Sequence, residues 1–192
     1  MLSVVVLISG SGTNLQALLK ATDNPLYPAK IVAVGSDNDA PGLTHAELYE
    51  VDTFVVEPGR FESREAWAET LLASVQHHQP ELVVLAGFMR ILPANFVNAL
   101  KGKLINTHPS LLPLYPGAHA VRDALQAKAT VTGVTIHKVD EGVDTGEIIV
   151  QQSVPVDAND TEASLHEKIK VVERELLVQC VQDIANKKIV LG

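Results

Sequence analysis

The dominant pattern in this chain is an alternation of short apolar runs, rich in Val, Ile and Leu, with longer segments of helical period. The short runs predict strands that are buried on both faces, as strands of parallel sheets are. They cover residues 3–8, 30–34, 53–56, 82–86 and 103–106. Because a helical segment follows each of the first four, we expect an α/β fold: a mostly parallel, wound, Rossmann-like sheet with helices on both faces.

The alternation changes after residue 106. Residues 108–120 contain three prolines and a glycine, which predicts an ordered loop and not a regular element. A short helix at 121–128 follows, and then two runs typical of strands, 131–139 and 147–156, joined by an acidic turn short enough for an antiparallel pair. Thr161 is placed to cap a last helix that reaches about residue 186. We therefore expect a single domain over 1–192 with an antiparallel strand pair in its C-terminal half.

Composition limits the function classes. The single cysteine, Cys180, excludes an intramolecular disulfide and a multi-cysteine zinc site, and it fits a reducing compartment. No pair of histidines has metal-ligand spacing, so we expect no metal. The N-terminus lacks a basic segment and a cleavage site, and no apolar run approaches the roughly 20 residues of a membrane span. We expect a cytoplasmic protein with no membrane partner.

The net charge of −8 is distributed without any Lys/Arg cluster longer than 187–188. This balance argues against nucleic acid as a partner. It leaves open a small phosphorylated substrate, because such a ligand needs only local hydrogen-bond donors.

Residues 9–14, Ser-Gly-Ser-Gly-Thr-Asn, follow the first predicted strand and open the first helix. The segment lacks the third glycine of the dinucleotide fingerprint and the lysine of a P-loop, so neither NAD nor ATP is indicated. Small residues at a helix N-terminus suit a phosphate, held by backbone N–H groups and the Thr13 hydroxyl. The alternative is a tight turn with an N-cap and no ligand. The residues alone leave both open.

Residues 86–92, Ala-Gly-Phe-Met-Arg-Ile-Leu, follow the fourth strand. Phe88, Met89, Ile91 and Leu92 cannot all be core if the strand has ended, so some of them could line a pocket for a flat ring. The alternative is a hydrophobic staple that packs beneath the loop at the start of the next helix.

Asn106 ends the fifth strand, and His108 follows two residues later, held by Pro109. The strand period of two puts both side chains on one side, where an amide and an imidazole can stabilise an oxyanion in acyl transfer. Asp144, in the acidic turn, would favour the protonated form of His108 if it lay beside it. The alternatives are a structural histidine and a solvated turn aspartate before Gly146.

The chain resembles the folate-dependent formyltransferases. The resemblance is carried by Asn-Thr-His-Pro-Ser-Leu-Leu-Pro at 106–113 followed by Gly117, and by Asp-Thr-Gly-Glu-Ile at 144–148. It extends over nearly the whole chain through residues 4–16, 61–65 and 85–92. The opening Ser-Gly-Ser-Gly-Thr-Asn-Leu-Gln is similar to members that formylate a ribonucleotide in purine synthesis. Leu114 departs from the family at a loop position that is often basic.

The resemblance implies a role for each matching position. Asn106, His108 and Asp144 match the catalytic trio. The residues matching the ribonucleotide site are Gly12, Thr13 and Asn14 at the phosphate, with Lys170 and Glu173. The residues matching the folate site are Arg64, Met89, Arg90, Ile91, Leu92, Asn106, Val139, Asp140, Glu141, Gly142, Val143 and Asp144.

The implied activity is direct transfer of a formyl group from 10-formyltetrahydrofolate to the amine of 5-phosphoribosylglycinamide, through a tetrahedral intermediate. Small molecules are then the partners, and the chain is a monomer or a homodimer. Alternatives are a formyltetrahydrofolate deformylase, a methionyl-tRNA formyltransferase, and a non-catalytic module that binds folate or nucleotide. The two sister enzymes are usually longer, with an added domain.

Overall fold

The computed structural model describes all 192 residues and contains one seven-stranded sheet in the order β3-β2-β1-β4-β5-β6-β7. The strands are β1 (Leu2–Ile8), β2 (Ala29–Ser36), β3 (Asp52–Val55), β4 (Leu82–Leu85), β5 (Leu104–His108), β6 (Val131–Lys138) and β7 (Ile148–Pro155). The helices are α1 (Thr13–Ala21), α2 (Leu43–Leu48), α3 (Arg64–His77), α4 (Ala94–Ala99), α5 (Ala120–Gln126) and α6 (Glu162–Ala185). The predicted fold class is confirmed.

The parallel part of the sheet is built around β1, which pairs with β2 on one side and β4 on the other. Its residues alternate between two core layers. Val4, Val6 and Ile8 pack in the layer beneath α1 and α6, whereas Val5 and Leu7 pack in the layer beneath α3 and α4. All five are 0% exposed. Burial on both faces is why this strand is apolar throughout and shows no polar alternation.

The antiparallel part is larger than the sequence predicts. The β6–β7 pair is antiparallel as expected, but β5 and β6 are antiparallel as well, with Asn106 opposite His137 and His108 opposite Thr135. The 108–120 loop and α5 return the chain so that β6 runs against β5. This register places His137 of β6 directly opposite Asn106.

The two longest helices, α3 and α6, begin at side-chain caps, and the cap of α6 is the predicted Thr161. The Ser63 side chain accepts a hydrogen bond from the Ala66 N–H (3.0 Å) at the start of α3. Thr161 and Ser164 form a reciprocal capping box at the start of α6. Both contacts satisfy backbone donors that a helix leaves free at its first turn. None of the six helices combines the length and the apolar composition that crossing a membrane requires.

Candidate active site

The predicted phosphate segment, residues 9–14, forms the loop after β1 (residues 9–12) and the first two residues of α1. Gly12 has φ +68°, and a Cβ placed on it would stand 3.0 Å from the Gly42 Cα, so this position requires glycine. No side chain caps α1, and its first turn holds no acidic residue. The first backbone N–H groups of the helix are therefore free to bind an anion.

Two of the residues predicted for the ribonucleotide site, Asn14 and Glu173, have buried polar side chains. Asn14 is 6% exposed and its Oδ1 has no hydrogen-bond partner. Glu173 of α6 is 8% exposed, and its Oε1 accepts from the Thr107 hydroxyl at 2.7 Å. Lys170, one turn earlier on α6, donates to Glu167 at 2.8 Å. Buried polar atoms without full partners are characteristic of a ligand site, because leaving them unpaired costs free energy.

The 86–92 segment divides between core and surface. Phe88 and Leu92 are buried in the layer beneath α3 and α4. Met89 and Ile91 are 71% and 58% exposed. The two outer apolar residues, Phe88 and Leu92, thus belong to the core, and the two inner ones, Met89 and Ile91, face outward.

Both arginines expected at the folate site contact the protein itself. An Nη2 group of Arg64 donates to the Ile91 carbonyl. The Nε of Arg90 lies 2.5 Å from the Asp37 carboxylate, which is at the end of β2 and 3% exposed as a residue. The Arg64 guanidinium thus holds the backbone at Ile91, and the ion pair with Asp37 holds the Arg90 side chain. Asp37 was not among the residues expected at the site.

The predicted trio is brought together. β5 extends to His108, so Asn106 and His108 share one face, as the period of two predicts. The His108 Nδ1 is 3.3 Å from Asp144 Oδ2, and the Asn106 Nδ2 is 3.5 Å from Asp144 Oδ1. The His108 Nε2 faces the Tyr115 carbonyl at 2.8 Å. Both ring nitrogens therefore face acceptors, so each of them donates when it carries a proton.

His137 is a site residue that the sequence reasoning left unassigned. It is 2% exposed, and its Nδ1 faces the Lys138 carbonyl at 2.8 Å. A carbonyl only accepts, so Nδ1 carries a proton, and Nε2 faces the Asn106 amide nitrogen at 3.1 Å. This contact fixes which way the Asn106 amide faces. The signal for His137 is the β5–β6 register, which is not visible in the sequence.

Asp144 is held in a strained backbone conformation, with φ +54°. Its Oδ2 accepts from the Gly117 N–H at 2.7 Å, and its Oδ1 is 3.6 Å from the His137 Nε2. Burial raises the pKa of Asp144, but the contact with His137, the Gly117 N–H and the charge of His108 lower its pKa overall. The carboxylate therefore stays ionised in the neutral range.

The 139–146 loop that carries Asp144 is shaped by internal contacts. Asp140 accepts from the Gly142 N–H (3.0 Å) and from the Thr145 hydroxyl (2.7 Å). Glu141 accepts from the Asn98 amide of α4 at 2.8 Å. The remaining residues expected at the folate site are Val139, which donates its N–H to the Leu104 carbonyl, and Val143, which is 46% exposed. No cluster of three or more potential metal ligands occurs in the chain.

An amide and an imidazole at the carboxyl edge of a wound sheet, with a carboxylate beside them, are groups of the kind that stabilise the oxyanion in acyl-transfer enzymes. The family model described as formyl transferase matches residues 2–181. The chain belongs to this formyl transferase family.

Individual relatives carry more specific names than the family model. The chain is 48% identical to a phosphoribosylglycinamide formyltransferase of Mycobacterium tuberculosis (strain CDC 1551 / Oshkosh), over 95% of this chain and 84% of the relative. It is 41% identical to the human trifunctional purine biosynthetic protein adenosine-3, over 98% of this chain but 19% of that protein. The solved structure of glycinamide ribonucleotide transformylase 1 from Symbiobacterium toebii matches with TM-score 0.96 and 38% identity, covering 100% of this chain and 91% of that one.

Proposed function

We propose that this chain transfers the formyl group of 10-formyltetrahydrofolate to the amine of 5-phosphoribosylglycinamide in purine nucleotide biosynthesis. The proposal is carried by the Asn106, His108 and Asp144 cluster in a chain 48% identical to a phosphoribosylglycinamide formyltransferase over nearly its full length. The chain then works as a single-domain cytoplasmic enzyme on small molecules, as a monomer or a homodimer.

The ribonucleotide lies across the start of α1 in this proposal. Backbone N–H groups from Gly12 to Asn14 bind its phosphate, because the helix N-terminus offers uncapped donors and a favourable dipole. The unpartnered Asn14 Oδ1 accepts a donor of the substrate. Only one oxygen of Glu173 bonds to Thr107, so the carboxylate can accept further hydrogen bonds from hydroxyl or amine groups of the substrate. Lys170 lies at the rim of this site.

The folate ring lies on the other side of the trio. The exposed Met89 and Ile91 side chains form an apolar wall on one side, and the 139–144 loop, with Val143, forms the other. A flat, partly polar ring fits such a slot, because apolar faces meet apolar side chains while backbone groups of the two segments remain for its edge.

His108 and Asn106 act on the formyl oxygen. When the substrate amine attacks the formyl carbon, negative charge develops on that oxygen, and N–H donors held in place beforehand stabilise it. In the unbound chain the His108 Nε2–H faces the Tyr115 carbonyl; when the substrate is bound it donates its hydrogen bond to the formyl oxygen instead. Asp144 keeps the ring charged through its contact with Nδ1. The Asn106 amide supplies a second donor, the N–H that in the unbound chain makes the longer contact, 3.5 Å, with Asp144 Oδ1.

Asp144 also handles the proton. The attacking nitrogen must lose one proton, and N10 of the departing folate must gain one. The ionised Asp144 carboxylate accepts from the first and, through a water molecule, returns a proton to the second. Formylated ribonucleotide and tetrahydrofolate leave without a covalent enzyme intermediate.

One assay tests the proposal. The purified chain is mixed with 5-phosphoribosylglycinamide and 10-formyltetrahydrofolate, and release of the folate product is followed by absorbance. We expect turnover that depends on the ribonucleotide. Equal release without the ribonucleotide would instead identify a deformylase, and binding of folate without release would identify a binding module.

A further inference from the structure

Residues 38–45 connect β2 to the first turn of α2, lie against the loop that follows β1, and have no role in the chemistry proposed above. The carbonyls of residues 9–11 each accept a hydrogen bond from this segment: Ser9 from the Asn38 amide (3.0 Å), Gly10 from the Gly42 N–H (3.0 Å) and Ser11 from the His45 Nε2 (3.1 Å). Because a carbonyl only accepts, the His45 Nε2 carries the proton of this contact. Three consecutive peptide groups of the loop are therefore held from one side.

These contacts also decide where the backbone N–H groups of the loop point. In a trans peptide, the C=O of one residue and the N–H of the next point in opposite directions. The N–H groups of residues 10–12 are therefore turned away from residues 38–45. The backbone N–H groups of residues 10–15 have no backbone acceptor. The loop thus has bonded carbonyls on one side and free donors on the other, which is the polarity that an anion site requires.

The peptide group between Ser11 and Gly12 carries both the carbonyl that His45 binds and the Gly12 N–H of the proposed phosphate site. Backbone preference does not fix its orientation, because Gly12 has φ +68° and glycine populates negative φ as readily. Ser11 is exposed, so packing of its side chain does not fix this orientation either. If the peptide group turned over, its carbonyl oxygen would face the phosphate in place of the N–H.

A glycine at the start of α2 brings His45 within reach of the loop. Gly42 precedes the helix, and a Cβ placed on it would lie 2.8 Å from the Gly10 carbonyl oxygen and 2.9 Å from the Gly12 Cα. Backbone therefore packs directly on backbone at this point. His45 follows in the first turn of α2 and is half-buried. A side chain at residue 42 would move α2, and His45 with it, away from the loop.

We propose that His45 is a positioning residue for phosphate binding: by donating to the Ser11 carbonyl, it fixes the peptide group that directs the Gly12 N–H at the phosphate of the ribonucleotide. This inference rests on the proposed function, which places that phosphate at the start of α1. His45 acts through its N–H and the backbone of the loop, and not by presenting a charge to the phosphate.

The test compares His45→Leu with His77→Leu, the same substitution at an exposed histidine of α3. Leucine removes the N–H donor and keeps a side chain of similar size. For His45→Leu we expect the Kd and KM for 5-phosphoribosylglycinamide to rise roughly 3-fold to 10-fold, the size of one neutral hydrogen bond. The Kd for tetrahydrofolate stays the same, and kcat changes less than KM. His77→Leu behaves as the unmodified chain. An unchanged Kd for the ribonucleotide in His45→Leu overturns the proposal.

Two further comparisons locate the effect at the phosphate and at the N–H. Ribosylglycinamide without its phosphate binds equally to the unmodified chain and to His45→Leu if His45 serves the phosphate alone. An equal loss for both compounds overturns the proposal. His45→Gln keeps an uncharged N–H donor on a side chain of similar reach, so we expect it to recover most of the lost affinity. If His45→Gln binds the ribonucleotide as weakly as His45→Leu, a charge on His45 is what matters, and the proposal is wrong.

Gly42→Ala displaces His45 without changing it and covers the case in which His45→Leu does not fold. Alanine adopts the φ of −65° at residue 42 without strain, so the variant acts only through its added methyl group. We expect the same loss of affinity, confined to the phosphorylated compound, with the Kd for tetrahydrofolate retained. Unchanged binding of the ribonucleotide contradicts the proposal. Because each Kd is measured without turnover, a chain that binds the ribonucleotide but does not formylate it refutes the proposed function and leaves this inference standing.

Discussion

The carbonyl of Tyr115 and the carboxylate of Asp144 stand on opposite sides of the His108 ring, at 2.8 Å from Nε2 and 3.3 Å from Nδ1. The two contacts hold the ring in its plane before any substrate is bound, with each nitrogen directed at an acceptor. When the substrate binds, Nε2 exchanges the Tyr115 carbonyl for the formyl oxygen while the contact between Nδ1 and Asp144 keeps the ring in place.

Truncating either oxyanion donor tests this arrangement. We expect Asn106→Ala and His108→Ala each to lower kcat by about 100-fold to 1,000-fold, the usual cost of removing one oxyanion donor. Steady-state kinetics with both substrates measures the loss, and far-ultraviolet circular dichroism checks that each variant is folded. Near-normal turnover in either variant would contradict its proposed role.

Asp144→Asn keeps the shape of the side chain but removes its charge. We expect a comparable loss of kcat, because the amide presents no negative charge to the His108 Nδ1 and cannot accept the proton of the attacking amine. Steady-state kinetics with both substrates measures the loss, and near-normal kcat would remove the proposed role of Asp144.

The Asp144 carboxylate also makes the stability of the fold depend on pH. Because the folded chain lowers the pKa of Asp144, its contribution to stability is fully present above the unfolded value of about 3.9 and is lost as pH falls through the lower folded value. The free energy of unfolding in urea is therefore expected to be higher for the unmodified chain than for Asp144→Asn at pH 6. This difference should shrink as the pH falls below the folded pKa of Asp144. A difference that is constant with pH would contradict this linkage.

Single residues differ in how far the sequence predicts them. Asn106 and His108 can be paired from the sequence because the strand period is local. His137 and Asp37 cannot, because their partners lie on other strands, and only the register of β5 with β6 and the adjacency of β2, β1 and β4 bring them together.

At the scale of elements, the β6–β7 loop decides where Asp144 stands. Gly146 is packed against the end of β6, and a Cβ there would lie 1.7 Å from the Lys138 carbonyl oxygen. Backbone atoms cannot yield as a flexible side chain can, so any larger residue moves the loop.

Gly146→Ala should therefore lower kcat although residue 146 is not in the trio. We expect a loss on the order of 100-fold, the size that misplacing a catalytic group by about 1 Å produces. Gly59→Ala is the matched control, because a Cβ at Gly59 meets no atom within 4 Å. Equal turnover in the two variants would show that the loop tolerates displacement.

Most elements are predictable from the chain because each apolar run and each capping residue acts locally. The direction of β6 is not. A strand that follows the 108–120 loop and a short helix could pair with β5 in either direction. The direction depends on the end of the sheet at which β6 begins. The antiparallel choice creates the His137–Asn106 contact and thus part of the site.

At the scale of the molecule, the sheet separates two apolar layers, and each contains one natural probe. Trp67 lies in the layer beneath α3 and α4, stacked on Phe88 with ring centroids 6.4 Å apart. Cys180 lies in the layer beneath α1 and α6, and burial raises the pKa of its thiol to about 12.

If the chain is one cooperative domain, both probes report the same transition. We expect Trp67 fluorescence and the reactivity of Cys180 toward a thiol reagent to change at the same urea concentration, with Cys180 unreactive in the folded chain. Helical circular dichroism provides an independent third probe. Separate midpoints for the two layers would contradict the single-domain proposal.

The contact between α6 and α1 also sets an order for biosynthesis. α1 is made early, but the side of its layer that Leu177, Cys180 and Val181 fill is made last among the elements. Until α6 has left the ribosome, the part of this layer that Leu177, Cys180 and Val181 fill is uncovered, and Glu173 is absent from the site. The nascent chain therefore exposes apolar surface until α6 is made, and the same helix completes the proposed ribonucleotide site.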